Sequence, residues 1–517
     1  MEMKLNKDAL QNKVEWKKIG ISLPAFDYEA VCEYTSEHPS WIHFGVGNIF
    51  RGYIARLQQA LLNNGLVKSG IIATETFDSE IIDNSIDNDN LTLLVTLKPC
   101  GTMENEVIAS ITESLSVKHK ERLKEIFRNK SLQIVSFTIT EKGYNVIDTN
   151  NEHVISVATQ LLYERFLAGA YPIALVSMDN CNSNGDKLKA AVLQTASIWA
   201  KSEIVTQEFI DYLSDKSKVS FPCSMIDKIT PRPDELICEK LNKLGLENMQ
   251  PIITSKGTYI APFVNAEISE YLVIEDDFPN GRPPLEAADV YLTNRQIVEM
   301  TEQMKVTACL NPLHTALAVF GCLLGFTRIS DAIRDADLKK LAETLGYKEG
   351  LPVVVNPGII DPDDFLKEVL EVRLPNPFIP DTPQRIATDT SLKFPIRFGE
   401  TIKAYMANPE KGVDGLTAIP LIIAAWFRYL LGEDDEGNVM QISPDPMLEE
   451  LRQHLKGLNV GESSAYNGEL KLLLSNTTLF TVNLHETVLA EKIETMFIEM
   501  ITESGAVRNT LQKYIHS

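Results

Sequence analysis

Short, almost wholly apolar runs alternate through the first half of the chain with longer stretches in which apolar positions recur at helical spacing. The apolar runs fall at 41–44, 70–74, 91–96, 133–138 and 173–178, and read as strands. Between them, 49–64, 118–128, 153–168 and 185–200 read as helices. Strands without polar alternation are buried on both faces, which is how a parallel sheet covered by helices reads. The order predicts a Rossmann-type, doubly wound, mainly parallel α/β sheet whose ligand crevice lies at the carboxyl ends of its strands.

The pattern changes after Phe278-Pro279-Asn280-Gly281-Arg282-Pro283-Pro284, a cluster of chain-turning residues. Beyond it the periodicity is helical, with predicted helices at 293–304, 313–325, 416–432 and 482–503. We therefore expect an N-terminal dinucleotide-binding domain over 1–290 and a mostly α-helical substrate and catalytic domain over 291–517. The chain's 517 residues agree with two domains.

Composition narrows the functional classes. A net charge of -22 argues against nucleic acid or an anionic membrane surface as a partner, so an anionic ligand has to be held by local groups. No apolar run is expected to reach the roughly 20 residues of a membrane span. The opening MEMKLNKDALQNKVEW lacks the apolar core of a signal peptide, so a cytoplasmic protein is expected. Seven cysteines without a CxxC pair and eight dispersed histidines without HExxH point to reduced thiols and to no metal site. A monomer or small homo-oligomer acting on a small molecule is expected.

Two segments carry candidate chemistry. Directly after the first strand stands Gly45-Val46-Gly47-Asn48-Ile49-Phe50-Arg51, opening a helix. Glycines there allow a tight turn and the approach of a pyrophosphate to backbone N–H groups at a helix N-terminus. The fingerprint is partial, because the third glycine of GxGxxG is missing and Arg51 stands one place beyond its slot. Gly45, Gly47, Asn48, Ile49 and Arg51 are the expected cofactor contacts. An acid near the end of the second strand, Glu75, Asp78 or Glu80, would take the adenine ribose hydroxyls and favour NAD over NADP. The other reading is that these carboxylates decorate the first turn of the next helix.

The second segment, Lys305 to His314, places an amine, an amide and an imidazole at the head of the apolar run 315–326. On a helix Asn311 and His314 share a face. Such groups suit proton transfer to and from an alcohol, although a capped helix start would also account for them.

Six blocks in one order resemble a known family: GVGNIFRG (45–52), FTITEKGY (137–144), VSMDNCNSNG (176–185), FPCSMIDKITP (221–231), NGRPPLE (280–286) and KVTACLNPLHTALA (305–318). Together they resemble the mannitol dehydrogenase family of long-chain polyol dehydrogenases, which includes hexuronate reductases. The resemblance implies NAD(H), no metal, a general acid/base lysine at Lys305, oxyanion-binding asparagines at Asn180 and Asn311, and a substrate-orienting histidine at His314. It implies carboxylates near the lysine at Asp227 and Glu302, and places Glu141 near the cofactor. Those residue types fit the chemistry. A base that becomes an acid, with amides aimed at a developing alkoxide, is what carbonyl reduction requires.

Two departures sharpen the expectation. Many members separate lysine from asparagine by four residues, whereas this chain has five, Val306 to Leu310. Each residue turns an α-helix by about 100°, so the extra one must be looped out in a π-bulge or a non-helical start, or Lys305 is not the base. We expect the loop-out. Pro312 and Leu313 stand where mannitol-active members have small residues, which turns attention from mannitol to uronates. A uronate carboxylate calls for a cation, and Arg397 and Lys403 are the candidates. The string NPLHTALAVFGCLLGF is similar to uronate-reducing members, implying reversible NADH-linked reduction of D-fructuronate to D-mannonate, ahead of tagaturonate reduction and of mannitol or arabinitol oxidation. A non-catalytic NAD-binding sensor is the alternative from another class.

Overall fold

The computed structural model describes residues 3–145, 153–408 and 410–516. It divides into two compact units, Met1–Glu299 and Met300–Ser517, where the sequence suggested a break at 290.

The first unit is built on six parallel strands: β1 (Trp41–Phe44), β2 (Ile71–Glu75), β3 (Ile111–Ser116), β4 (Ile134–Phe137), β5 (Ile173–Ser177) and β6 (Val219–Ser220). They lie in the order β3-β2-β1-β4-β5-β6, so the winding reverses between β1 and β4. Successive side chains feed opposite faces. Ile42, Phe44, Val135, Phe137 and Leu175 join the helices Lys120–Arg128, Val154–Leu167 and Asn184–Lys201 in one core. Trp41, Ile71, Ala73, Ile134, Ala174 and Val176 pack on the other face against the helical run 50–63. This two-sided burial is why the strands read as unbroken apolar runs.

One predicted strand belongs elsewhere. Thr92–Leu97 pairs antiparallel with Met103–Ile108 and parallel with Phe263–Glu267, in a separate four-stranded sheet begun by Ile21–Ser22. The chain reverses at Gly101, at φ 86°, into a hairpin instead of crossing over. The third strand of the main sheet is then Ile111–Ser116, whose Thr112 and Glu113 hid it from an apolar-run reading. A three-stranded sheet of Ser224–Asp227, Tyr271–Glu275 and Tyr291–Thr293 completes the unit.

The second unit is helical. Every residue of Ala418–Tyr429 is buried, and this helix packs against Leu489–Met500 and Asn311–Leu323. Its N-terminus is capped by the buried Glu349 carboxylate, which accepts from the N–H groups of Thr417, Ala418 and Ile419 at 2.6, 2.7 and 2.9 Å. The helical run Arg295–Leu323 spans 29 residues and, contrary to the sequence reading, passes for a membrane span by length and composition. Its most apolar window is 78% buried in the protein, which is the property of a core helix.

Candidate active site

The switch between β1 and β4 brings Phe44-Gly45 alongside Phe137-Thr138, and Thr138 donates its N–H to the Phe44 carbonyl at 2.9 Å. The approach is so close that a Cβ on Gly45, at φ 101°, would lie 2.3 Å from the Thr138 carbonyl oxygen. Gly47 is different. A Cβ there would meet nothing within 4 Å, so no neighbour in the fold demands glycine, and the backbone faces open space of the kind a pyrophosphate needs.

The expected cofactor residues separate into two groups. Glu75 ends β2 against the glycine turn, one carboxylate oxygen accepting from Val46 N at 3.1 Å and the other from Thr76 and Phe77 N at 2.9 Å. Asn48 and Ile49 are half-buried at the helix entry. Arg51 and Asp78, by contrast, are 5% and 2% exposed and are engaged inside the fold, which corrects their expected contact with cofactor. A π turn over Phe50–Ile54 rotates Arg51 inward, where it donates to the Ala261 carbonyl at 2.8 Å and to Asn48 Oδ1 at 3.0 Å. Burial lowers its pKa to about 10. Asp78 caps the helix Ser79–Asp87 and accepts from the Thr254 hydroxyl at 2.6 Å. Glu80 accepts from Ser255 N at 3.1 Å, and the exposed Glu141 is paired with Lys187.

Asn180 follows β5 and is exposed. Its neighbour Asp179, unnoticed in the sequence, organises this end of the sheet. The Asp179 carboxylate accepts from Ile139 N at 3.0 Å, Thr140 N at 2.9 Å and the Tyr144 hydroxyl at 2.5 Å, and burial pushes its pKa up. It holds Thr140 at φ 66°, a conformation a β-branched residue adopts only under constraint. The Asn184 amide donates to the Asp179 and Ser224 carbonyls at 2.9 Å, closing the loop that carries Asn180. Asp227 is buried at the end of its strand.

In the second unit the extra residue between Lys305 and Asn311 is looped out. Lys305–Cys309 forms a π turn, closed by Leu310 N donating to the Lys305 carbonyl at 3.1 Å. Leu310 breaks the helix at φ -132°, ψ -61°, and Asn311–Leu323 starts afresh with Pro312 in its first turn. Lys305 is 2% exposed, and Glu302 is half-buried in the turn before it. Asn311 and His314 are half-buried in the first turn of the new helix.

Cations gather around that turn. Arg397, in a π turn over Pro395–Gly399, donates through Nη1 to the Thr315 hydroxyl at 2.6 Å and to the Asn311 carbonyl at 3.3 Å. Burial lowers its pKa to about 10, and no carboxylate pairs with it among the described residues. Sequence reasoning missed its companions. Asp381 lies 4.0 Å from His314 Nε2 and is ion-paired with Arg385. Lys393 donates to the Ile386 carbonyl at 2.8 Å and to the Thr388 carbonyl, and burial together with the Arg397 charge lowers its pKa to about 8. The signal available was the density of basic residues between 385 and 397. Lys403, the other expected carboxylate contact, is 60% exposed and 3.7 Å from Glu400. No group of three or more His, Cys, Asp or Glu among the described residues is arranged to hold a metal ion.

Comparison with known proteins follows the same division. The model of the mannitol dehydrogenase Rossmann domain matches residues 39–287, and that of the mannitol dehydrogenase C-terminal domain matches 298–501. D-mannonate oxidoreductase of Thermotoga maritima is 52% identical over 537 aligned residues, covering 99% of each chain. Mannitol 2-dehydrogenase of Phaeosphaeria nodorum is 29% identical, covering 84% of this chain and 74% of its own. Among solved structures, mannitol 2-dehydrogenase of Pseudomonas fluorescens in ternary complex with NAD and D-mannitol superposes with a TM-score of 0.71 at 25% identity over 100% of both chains. A substrate-free D-sorbitol dehydrogenase gives a TM-score of 0.78 at 25% identity, covering 94% of this chain and 97% of its own. With both family domains matched in order over most of its length, this chain belongs to the mannitol dehydrogenase family.

Proposed function

We propose that this protein catalyses the reversible reduction of D-fructuronate to D-mannonate. It is an NAD-dependent oxidoreductase of the polyol dehydrogenase type. When bound, NADH supplies the hydride. The residues that would hold it fit: Gly47 leaves room before the backbone, and Glu75 stands at the end of β2.

The observation that carries the uronate reading is Arg397. A partly buried guanidinium with no carboxylate partner among the described residues is costly to keep, and it sits bonded to the helix turn of Asn311 and Thr315. Both of its bonds use Nη1, which leaves its other edge for a carboxylate. A neutral polyol gives such a cation nothing to pair with. The similarity to D-mannonate oxidoreductase supports the same substrate class.

In this reading the Lys305 ammonium gives a proton to the substrate oxygen in reduction and takes it back in oxidation. The Asn311 amide donates to that oxygen as charge grows on it, and His314 orients it. Asp381 lies 4.0 Å from His314 Nε2, beside the ring that orients the substrate in this reading. Glu302, half-buried in the turn before Lys305, is assigned to the surroundings of the lysine.

The test is a substrate panel followed by NADH absorbance. D-fructuronate should be reduced far faster than D-tagaturonate or D-fructose, and a preference for fructose would end the uronate assignment. Lys305→Ala should lose several orders of magnitude in rate while binding NADH normally.

A further inference from the structure

We propose that the Thr401 hydroxyl, with the bare backbone of Gly350, holds the π turn Lys305–Cys309 in register and is thereby a positioning element for Lys305. The proposal rests on the assignment of Lys305 as proton donor and acceptor.

A π turn shifts each carbonyl's donor one residue further along the chain. In that register the carbonyl of Thr307 looks to the N–H of residue 312, which is a proline and has none. An acceptor left unpaired in a partly buried turn would favour relaxation of the backbone. Thr401, 6% exposed, supplies the missing donor, its hydroxyl bonding the Thr307 carbonyl at 3.1 Å.

The widened turn also needs room. A Cβ on Gly350 would come within 3.3 Å of the Ala308 Cβ and 3.2 Å of the Leu345 carbonyl oxygen, so any larger residue would press on the bulge. If the turn tightened to α, Lys305 would rotate by about 100° relative to Asn311 and His314. Thr401 follows Arg397 by one helical turn in the run 395–406. The element that offers a cation to the substrate carboxylate is thus also the one that clasps the catalytic turn.

The experiment compares Thr401→Val and Thr401→Ser in the full chain, each alone and with Lys305→Ala. Valine keeps the shape and removes the donor, whereas serine keeps the donor. We expect Thr401→Val to lower kcat by about a hundredfold and to leave KM for D-fructuronate and the Kd of NADH within about twofold, with Thr401→Ser near the parent. In the Lys305→Ala background, Thr401→Val should cost nothing further, because the two act through one group. An unchanged kcat in Thr401→Val, equal losses in valine and serine, or additive losses in the double variant would each overturn the proposal. If Thr401→Val melts too early to assay, Gly350→Ala tests the same turn from the other side, and an unchanged kcat there also overturns it. A Lys305→Ala enzyme that keeps its rate would refute the lysine assignment itself, an outcome distinct from an intact lysine effect with an indifferent Thr401.

Discussion

Arg397 and Thr315 are joined by a 2.6 Å hydrogen bond from Nη1 to the threonine hydroxyl, which fixes a guanidinium one helical turn past Asn311. If its other edge takes the substrate carboxylate, Arg397→Leu should raise KM for D-fructuronate by about ten- to a hundredfold, the worth of a charge-assisted hydrogen bond or two. Reduction of the neutral ketose D-fructose, however slow, should be unaffected. Lys403→Ala serves as the control and should leave both substrates unchanged, since Lys403 is exposed and paired with Glu400. Equal losses toward charged and neutral substrates would show that Arg397 is only structural.

If Lys393 joins Arg397 in holding the substrate carboxylate, binding should be sensitive to alkali. Burial, reinforced by the Arg397 charge, brings its pKa down to about 8 from the usual 10.5. The cation is present below about pH 8 and is lost as pH rises through that value. KM for the keto acid should therefore climb between pH 8 and pH 9.5, and Lys393→Met should begin high and stay flat. Unfolding does not explain such a rise. Between about 8 and 10.5 the unfolded lysine holds more proton than the folded one, so this group makes the fold more stable as pH increases. A KM profile of the Lys393→Met enzyme that still climbs would assign the titration elsewhere.

Asp179 predicts a coupled loss of stability and cofactor affinity. Its carboxylate satisfies two backbone N–H groups and the Tyr144 hydroxyl at the end of β4. Asp179→Ala leaves those donors unpaired and releases Thr140 from φ 66°, at a cost of about 2–4 kcal/mol in thermal or urea unfolding. Because the same loop borders the glycine turn through Thr138 and Gly45, the Kd of NADH should rise as well. A variant that is destabilised yet binds NADH with parent affinity would confine Asp179 to folding.

What the sequence reveals here depends on how local the determinant is. Strands buried on both faces announce themselves by composition, and β1, β2, β4 and β5 were all legible. Thr92–Leu97 was legible as a strand but not in its sheet, because the hairpin at Gly101 and the partner Phe263–Glu267 are tertiary facts. The π turn at Lys305 could be anticipated by counting residues against the family spacing, since an added residue in a helix has few places to go. Arg51 and Asp78 misled because residue type says nothing about the direction a π turn or an N-cap gives a side chain. Arg397 was found by asking for a cation, while Lys393, Asp381 and Thr401 became visible only through what they touch.

The two glycines of the nucleotide turn should fail in different ways. Gly45 is required by the fold: its φ of 101° is strained for any side chain, and its Cβ would fall 2.3 Å from the Thr138 carbonyl oxygen, with backbone that cannot step aside. Gly45→Ala must separate β1 from β4 where the sheet winding reverses, and should yield aggregated or strongly destabilised protein. Gly47 has no such neighbour within 4 Å, so Gly47→Ala should fold with a melting temperature close to the parent. The added methyl occupies the space before the backbone where a pyrophosphate would lie, and the Kd of NADH should rise by about tenfold or more. Melting curves with and without NADH separate the cases in one measurement: the parent should be stabilised by the cofactor and Gly47→Ala should lose most of that increment. A Gly47→Ala protein with an undiminished NADH shift would mean that the cofactor does not approach this turn.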